Sequence, residues 1–100
     1  MAYSQLVVAS LWIAHLIVSE ATASKLAAKH GLDWREVRDA IVCVRDLRYT
    51  WHQHPERGLL VLVEIRLRGL RCIAVLYPVG DLSGDVFALG SAYPSPKGAS

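Results

Sequence analysis

Apolar residues crowd the first part of the chain, recur every three or four positions between residues 20 and 44, and alternate with polar ones from residue 47 onward. The first pattern predicts a buried strand around 12–18 after a flexible segment over 1–11. Ser19 then has the chemistry of an N-cap for a helix from Glu20 to about Lys29, with Ala23 and Leu26 on its inner face. Gly31 fits the left-handed position that ends such a helix, and Lys29 and His30 suit its negative end. Asp33-Trp34-Arg35-Glu36 has the spacing of a capping box and predicts a second helix to about Cys43. Trp34, Val37, Ile41 and Val44 mark its core face.

Beyond Val44 the period drops to two. Leu47, Tyr49 and Trp51 alternate with Arg48, Thr50 and His52, as in a strand. His54 to Gly58 reads as a turn, Leu59 to Arg68 as a strand, Arg68-Gly69 as a tight turn, and Leu70 to Tyr77 as its partner. A wider loop over 78–84 leads to a last strand, Asp85 to Tyr93. A two-residue turn at Arg68-Gly69 pairs Leu67 with Leu70, Arg66 with Arg71 and Glu64 with Ile73. Paired side chains share a face. One face is then wholly apolar, with Val61, Val63, Ile65 and Leu67 beside Leu70, Cys72, Ala74 and Leu76. The other carries Glu64, Arg66, Arg71 and Tyr77. A slip of one residue would bury the arginines, so the register is well specified. The expected architecture is α+β: an N-terminal strand, two short helices, then a four-stranded antiparallel meander with the helices packed on one face.

Composition narrows the class. One hundred residues, 53% hydrophobic and 20% charged, form one domain, expected over 12–93 with a loose Pro/Ser/Gly tail over 94–100. A formal charge of +2 is too small for a general electrostatic attraction to nucleic acid, so local clustering of arginine matters more than the total. Cys43 and Cys72 match no zinc or redox spacing and read as two buried, reduced thiols. Ala21-Thr22-Ala23 has the form of a signal-peptidase site. No basic residue precedes Lys25, however, and the apolar run 6–18 is short for a membrane span. A cytoplasmic protein is expected.

Three sets of side chains could carry chemistry. Arg45, Arg48, Arg57, Arg66, Arg68 and Arg71 supply planar forks that suit phosphate oxygens and the charge of a pentavalent phosphate. The same residues could instead form a solvated face paired with Asp46, Glu56 and Glu64. His52 and His54 share a strand face near Glu56, a spacing open to a metal pair, an acid–base pair or plain exposure. No third ligand stands at a metal-binding spacing, and no cofactor is expected. His15 reads as a hydrogen-bonded core residue. Tyr77 and Tyr93 close strands, where a phenol can donate a proton, stack on a base, or rest in water.

The order of elements, with Lys29-His30-Gly31 ending the first helix and Ser91-Ala92 near the end of the last strand, resembles the BrnT-like branch of the RelE/ParE toxin superfamily over roughly 12–93. Tyr93 stands where that branch carries arginine, and a Pro/Ser tail stands where a basic helix usually follows. The resemblance implies a type II toxin that cleaves RNA by attack of the 2′-hydroxyl without a metal, in some relatives on the ribosome. It also implies a cognate antitoxin, as a toxin–antitoxin heterotetramer or beside a toxin homodimer, with no membrane partner. Together with the residue reading it nominates His30, Arg66, Arg71 and Tyr93 for catalysis and Lys29, Arg48, Arg68 and Tyr77 for RNA binding. The alternative is a non-catalytic protein-interaction domain on the same scaffold.

Overall fold

The computed structural model describes residues 11–80 and 84–95. The expected flexible stretch therefore lies outside the described residues except for Leu11, which is buried in the core. The elements are β1 (His15–Ile17), α1 (Glu20–Lys25) continued by a π-helical turn (Leu26–His30), α2 (Trp34–Ile41), β2 (Arg48–His54), β3 (Gly58–Leu67), β4 (Leu70–Pro78) and β5 (Val86–Pro94). Pro94, assigned above to the tail, thus belongs to β5. The fold is α+β, with two helices and one sheet in the order β1-β5-β4-β3-β2. The expected four-stranded antiparallel meander is present as β2 to β5, but the sheet is corrected to five strands and mixed, because β1 docks parallel to β5, His15 beside Val86 and Ile17 beside Ala88.

Local chemistry explains the helices. The Ser19 side chain accepts from the Thr22 N–H, and the helical run ends at Gly31 with φ +65°. There the Leu32 N–H reaches back to the Leu26 carbonyl at 3.1 Å, a left-handed C-terminal closure. Asp33 caps α2 through the Arg35 N–H at 2.9 Å. The capping box is not completed, since the Glu36 carboxylate turns away to Arg68. Val37 and Ile41 are buried against the sheet. Removing each from water contributes about 1.5–3 kcal/mol as an upper estimate. Trp34 and Val44 pack partly buried at the core's edge, and Arg35 and Arg38 lie over the Trp34 ring at 5.0 and 5.1 Å.

The central hairpin has the expected register, Leu67 to Leu70, Arg66 to Arg71 and Glu64 to Ile73. Arg68 and Gly69 have φ +53° and +81°, the two left-handed residues that a twisted two-residue hairpin needs. Val61, Val63, Ile65, Leu67, Cys72, Ala74 and Leu76 all point under the helices and are buried. Leu70, the partner of buried Leu67, is the exception at 49% exposed.

Two further expectations are corrected. His15 is exposed, since strand alternation in β1 turns Leu16 inward instead. Cys43 is also exposed; the backbone after α2 takes φ +57° there, and its N–H bonds to the Ile13 carbonyl. Cys72 is buried, and burial pushes its thiol pKa up.

Candidate functional site

The sheet face turned away from the helices is organised in rows by strand register. One row runs Arg48, Glu64, Ile73, Tyr93 across β2, β3, β4 and β5. At strand spacings of about 4.8 Å it spans roughly 14 Å of backbone. The next row toward the hairpin tip holds Arg66 and Arg71. Two guanidiniums here share one carboxylate, with a third, Arg66, close by. Arg71 grips Glu64 side-on, Nη2 to Oε1 at 3.1 Å and Nε to Oε2 at 3.0 Å, and Arg48 stands 3.9 Å away. Arg71 also donates to the Ser95 hydroxyl at 3.2 Å, and Arg66 donates to the Gly69 carbonyl at 3.4 Å. Arg66 and Arg71 are direct cross-strand neighbours, an arrangement that repels unless a negative group offsets it; Glu64 supplies that group.

The hydrogen bond from Arg71 lowers the Glu64 pKa below its ordinary value near 4.5, with the nearby charges of Arg71, Arg48 and Arg66 adding to the effect and desolvation opposing it. A carboxyl with a depressed folded-state pKa stabilises the fold above its unfolded pKa, and that contribution is lost as pH falls through the folded value. A Glu64→Gln variant is therefore expected to melt below wild type near neutral pH, with the gap closing as pH drops under about 4.5. A gap in thermal melts that stays constant from pH 7 to pH 3 would contradict this.

The second region lies where α1 ends beside β5. Strand β1 covers only residues 86–88 of β5, and the π-helical turn packs against the strand beyond that point. Between them opens a cleft of about 200 Å³, lined on the helix side by Thr22, Lys25, Lys29 and His30 and on the sheet side by Ser91, Gly90 and Arg57. The His30 and Tyr93 rings lie 6.4 Å apart, which joins the cleft to the arginine row. A π turn repositions the residues that follow it relative to a regular helix, and such turns are frequent at functional sites. Here the turn supplies Lys29 and His30.

The floor of this cleft depends on a bulge. Val75 pairs with Ser91, but Leu76 pairs with Leu89, which leaves Gly90 as the extra residue. A Cβ at Gly90 would stand 2.2 Å from Tyr77 Cε2, so only glycine lets the Tyr77 ring lie against the strand. The Tyr77 hydroxyl accepts from Arg57 Nη1 at 3.1 Å. That contact holds Arg57 across from the cationic helix end.

Of the residues nominated from sequence, Lys29 and His30 line the cleft, Tyr93 stands beside His30, and Tyr77 lies against Gly90 on the cleft's floor. Arg48, Arg66 and Arg71 share the adjoining face. Arg68 does not join them: from the hairpin turn it points to the helix layer and binds Glu36 Oε2 through Nη2 at 2.6 Å and Nε at 3.1 Å. Lys25 and Ser91 are site residues that were not nominated, and Arg57 was named only as one of the arginine set. Lys25 was within reach, since it precedes Lys29 by one helical turn, and Ser91 stood inside a noted motif. Arg57 lies in a turn, where nothing local announces a tertiary contact. His52 and His54 have rings 6.4 Å apart, but His54 Nδ1 accepts the N–H groups of Glu56 and Arg57, both at 3.1 Å, so that nitrogen serves its own turn. Among the described residues no group of three His, Cys, Asp or Glu side chains stands close enough to hold a metal ion, and no helix is long and apolar enough to cross a membrane.

Among known proteins, no family model, no curated protein and no solved structure matches this chain.

Proposed function

We propose that this protein is the toxin of a type II toxin–antitoxin pair, with a RelE/BrnT-like fold, and that it cleaves RNA in the cytoplasm through the cleft between α1 and β5. One observation carries the reading. Lys29-His30 and Ser91-Tyr93, the two segments on which the resemblance rests, come from opposite ends of the domain and meet at one cleft. Two packing elements with no shared task have no need to bring a lysine, a histidine, a serine and a tyrosine together beside an arginine face.

The chemistry follows from the groups present. A base removes the proton of a ribose 2′-hydroxyl, the oxygen attacks the adjacent phosphorus, and the P–O5′ bond breaks as a proton reaches the departing oxygen. The products are a 2′,3′-cyclic phosphate and a 5′-hydroxyl. His30 is the proton-moving group best placed on the helix side, with Tyr93 as the proton donor on the strand side. Lys25, Lys29 and Arg57 surround the space where phosphate charge would develop. Arg48, Arg66 and Arg71 extend a phosphate-binding track along the open face, and Tyr77 and Tyr93 offer rings to bases. The partner in this reading is a cognate antitoxin that blocks the cleft.

Large exposed apolar side chains, Trp12, Ile17, Trp51 and Leu70 among them, favour a second reading as a non-catalytic interaction domain. One assay separates the two. Purified protein is incubated with single-stranded RNA, with and without ribosomes, and the product ends are mapped. Cleavage leaving cyclic-phosphate ends is the expected result. Intact RNA in both conditions would reject the enzyme reading.

A further inference from the structure

The sheet has two edges, and the fold treats them differently. On one side β1 and the end of α1 cover β5. On the other, β2 is the last strand among the described residues. Its register with β3 runs unbroken from Arg48 to His54, and its residues are exposed except for half-buried Tyr49 and His54. Proteins protect such edges with lysine, proline, bulges or very short strands. Strand β2 is seven residues long and contains no lysine, no proline and no bulge. Its one arginine, Arg48, lies toward Glu64 on its own sheet.

We propose that the β2 edge pairs with the β2 edge of a second copy of this chain, antiparallel about a two-fold axis at Thr50, so that two five-stranded sheets become one of ten. The side chains select both the occupant and the register. An axis at Thr50 sets Thr50 against itself, Tyr49 against Trp51 on the helix side, and Arg48 against His52 on the open face. Thr–Thr and aromatic–aromatic pairs are among the favourable cross-strand matches. Trp51 is 42% exposed although its ring also stands 6.4 Å from that of Phe87 on β5, so it has surface left for a second contact. An axis at Trp51 would set Arg48 against His54 and forfeit the Tyr49–Trp51 match. An axis at His52 would run Tyr49 into Pro55, which has no N–H to donate. A foreign strand could use the same backbone groups, but only a second copy supplies the reciprocal Tyr49–Trp51 contact twice. The inference does not depend on RNA cleavage, because none of the residues lining the α1–β5 cleft belongs to β2.

A single edge pairing is a small interface, and small interfaces exchange readily. Sedimentation equilibrium of the full chain is therefore expected to show a mass rising with concentration from 11.0 kDa toward twice that value. Thr50→Lys, an exposed substitution that retains the fold by circular dichroism, should hold the mass at the monomer. Register is read by cross-linking in a Cys43→Ser background. Paired antiparallel positions lie about 4.5–5.5 Å apart, within disulfide range, so Thr50→Cys should form an intermolecular disulfide on mild oxidation. Gln53→Cys should not, because the axis leaves those two positions six residues, or about 20 Å, apart. A monomer at all concentrations, a dimer indifferent to Thr50→Lys, or equal cross-linking at positions 50 and 53 would overturn the proposal.

Discussion

Replacing Gly90 by alanine is expected to destabilise the protein by about 2 kcal/mol and to lower its Tm by roughly 10 °C. The added Cβ would meet the Tyr77 ring at 2.2 Å from Cε2 and 3.0 Å from Cδ2. The ring cannot simply slide away, because its hydroxyl is bonded to Arg57 and its Cα is fixed in β4 opposite Ala88. Either the bulge opens or the Arg57–Tyr77 contact breaks, and both change the cleft. The cause is separable by a double variant. Tyr77→Ala removes the obstructing ring, so Gly90→Ala should cost far less in that background. Thermal melts of the four proteins supply the cycle, and strictly additive effects would mean that the close approach is not the source of the loss.

His30→Ala is expected to reduce RNA cleavage by about 10²–10⁴-fold, the usual contribution of a positioned proton-transfer group. The same substitution should leave stability within about 0.5 kcal/mol, since His30 is exposed and the helix is already closed by Gly31. That separation matters, because a cleft residue whose loss unfolds the protein says nothing of chemistry. Tyr93→Phe refines the assignment: it retains the ring beside His30 and removes only the hydroxyl. Loss of rate with unchanged RNA affinity is expected if the phenol delivers the proton to the leaving oxygen, and full activity would reduce Tyr93 to a stacking surface. Single-turnover rates and equilibrium binding of a non-cleavable 2′-deoxy analogue distinguish the two.

Sequence and structure agree most closely where one physical rule dominates. The hairpin at Arg68-Gly69 was legible because turn chemistry and two-fold alternation point to the same register, and Arg66 and Arg71 emerge as neighbours from arithmetic alone. Ser19 and Gly31 were legible because helix ends leave backbone groups that specific residues satisfy. The parallel docking of β1 on β5 was not legible, since nothing in either strand names its partner and the two are separated by nearly the whole domain. His15 shows the limit of reading an apolar run as uniformly buried: a strand three residues long at a sheet edge has one inward position, and Leu16 takes it. The capping box failed through competition, as Arg68 offered Glu36 a stronger, charge-assisted partner than a backbone N–H. The bulge that makes Gly90 indispensable has no local mark beyond the glycine itself, because its reason is the Tyr77 ring on another strand.

The pairing of β1 with β5 also imposes an order in time. The first strand leaves the ribosome long before the last exists, and until β5 emerges β1 has no partner. The central hairpin, by contrast, closes within a short stretch of chain and can form early. Contacts that join the ends of a domain slow folding and leave unpaired strands open to other chains in the interval. Both walls of the cleft obey the same schedule, since Lys29 and His30 are made early and Ser91 and Tyr93 late. An unfinished chain therefore has a helix end without its facing strand, and the site comes into being only with the completed sheet.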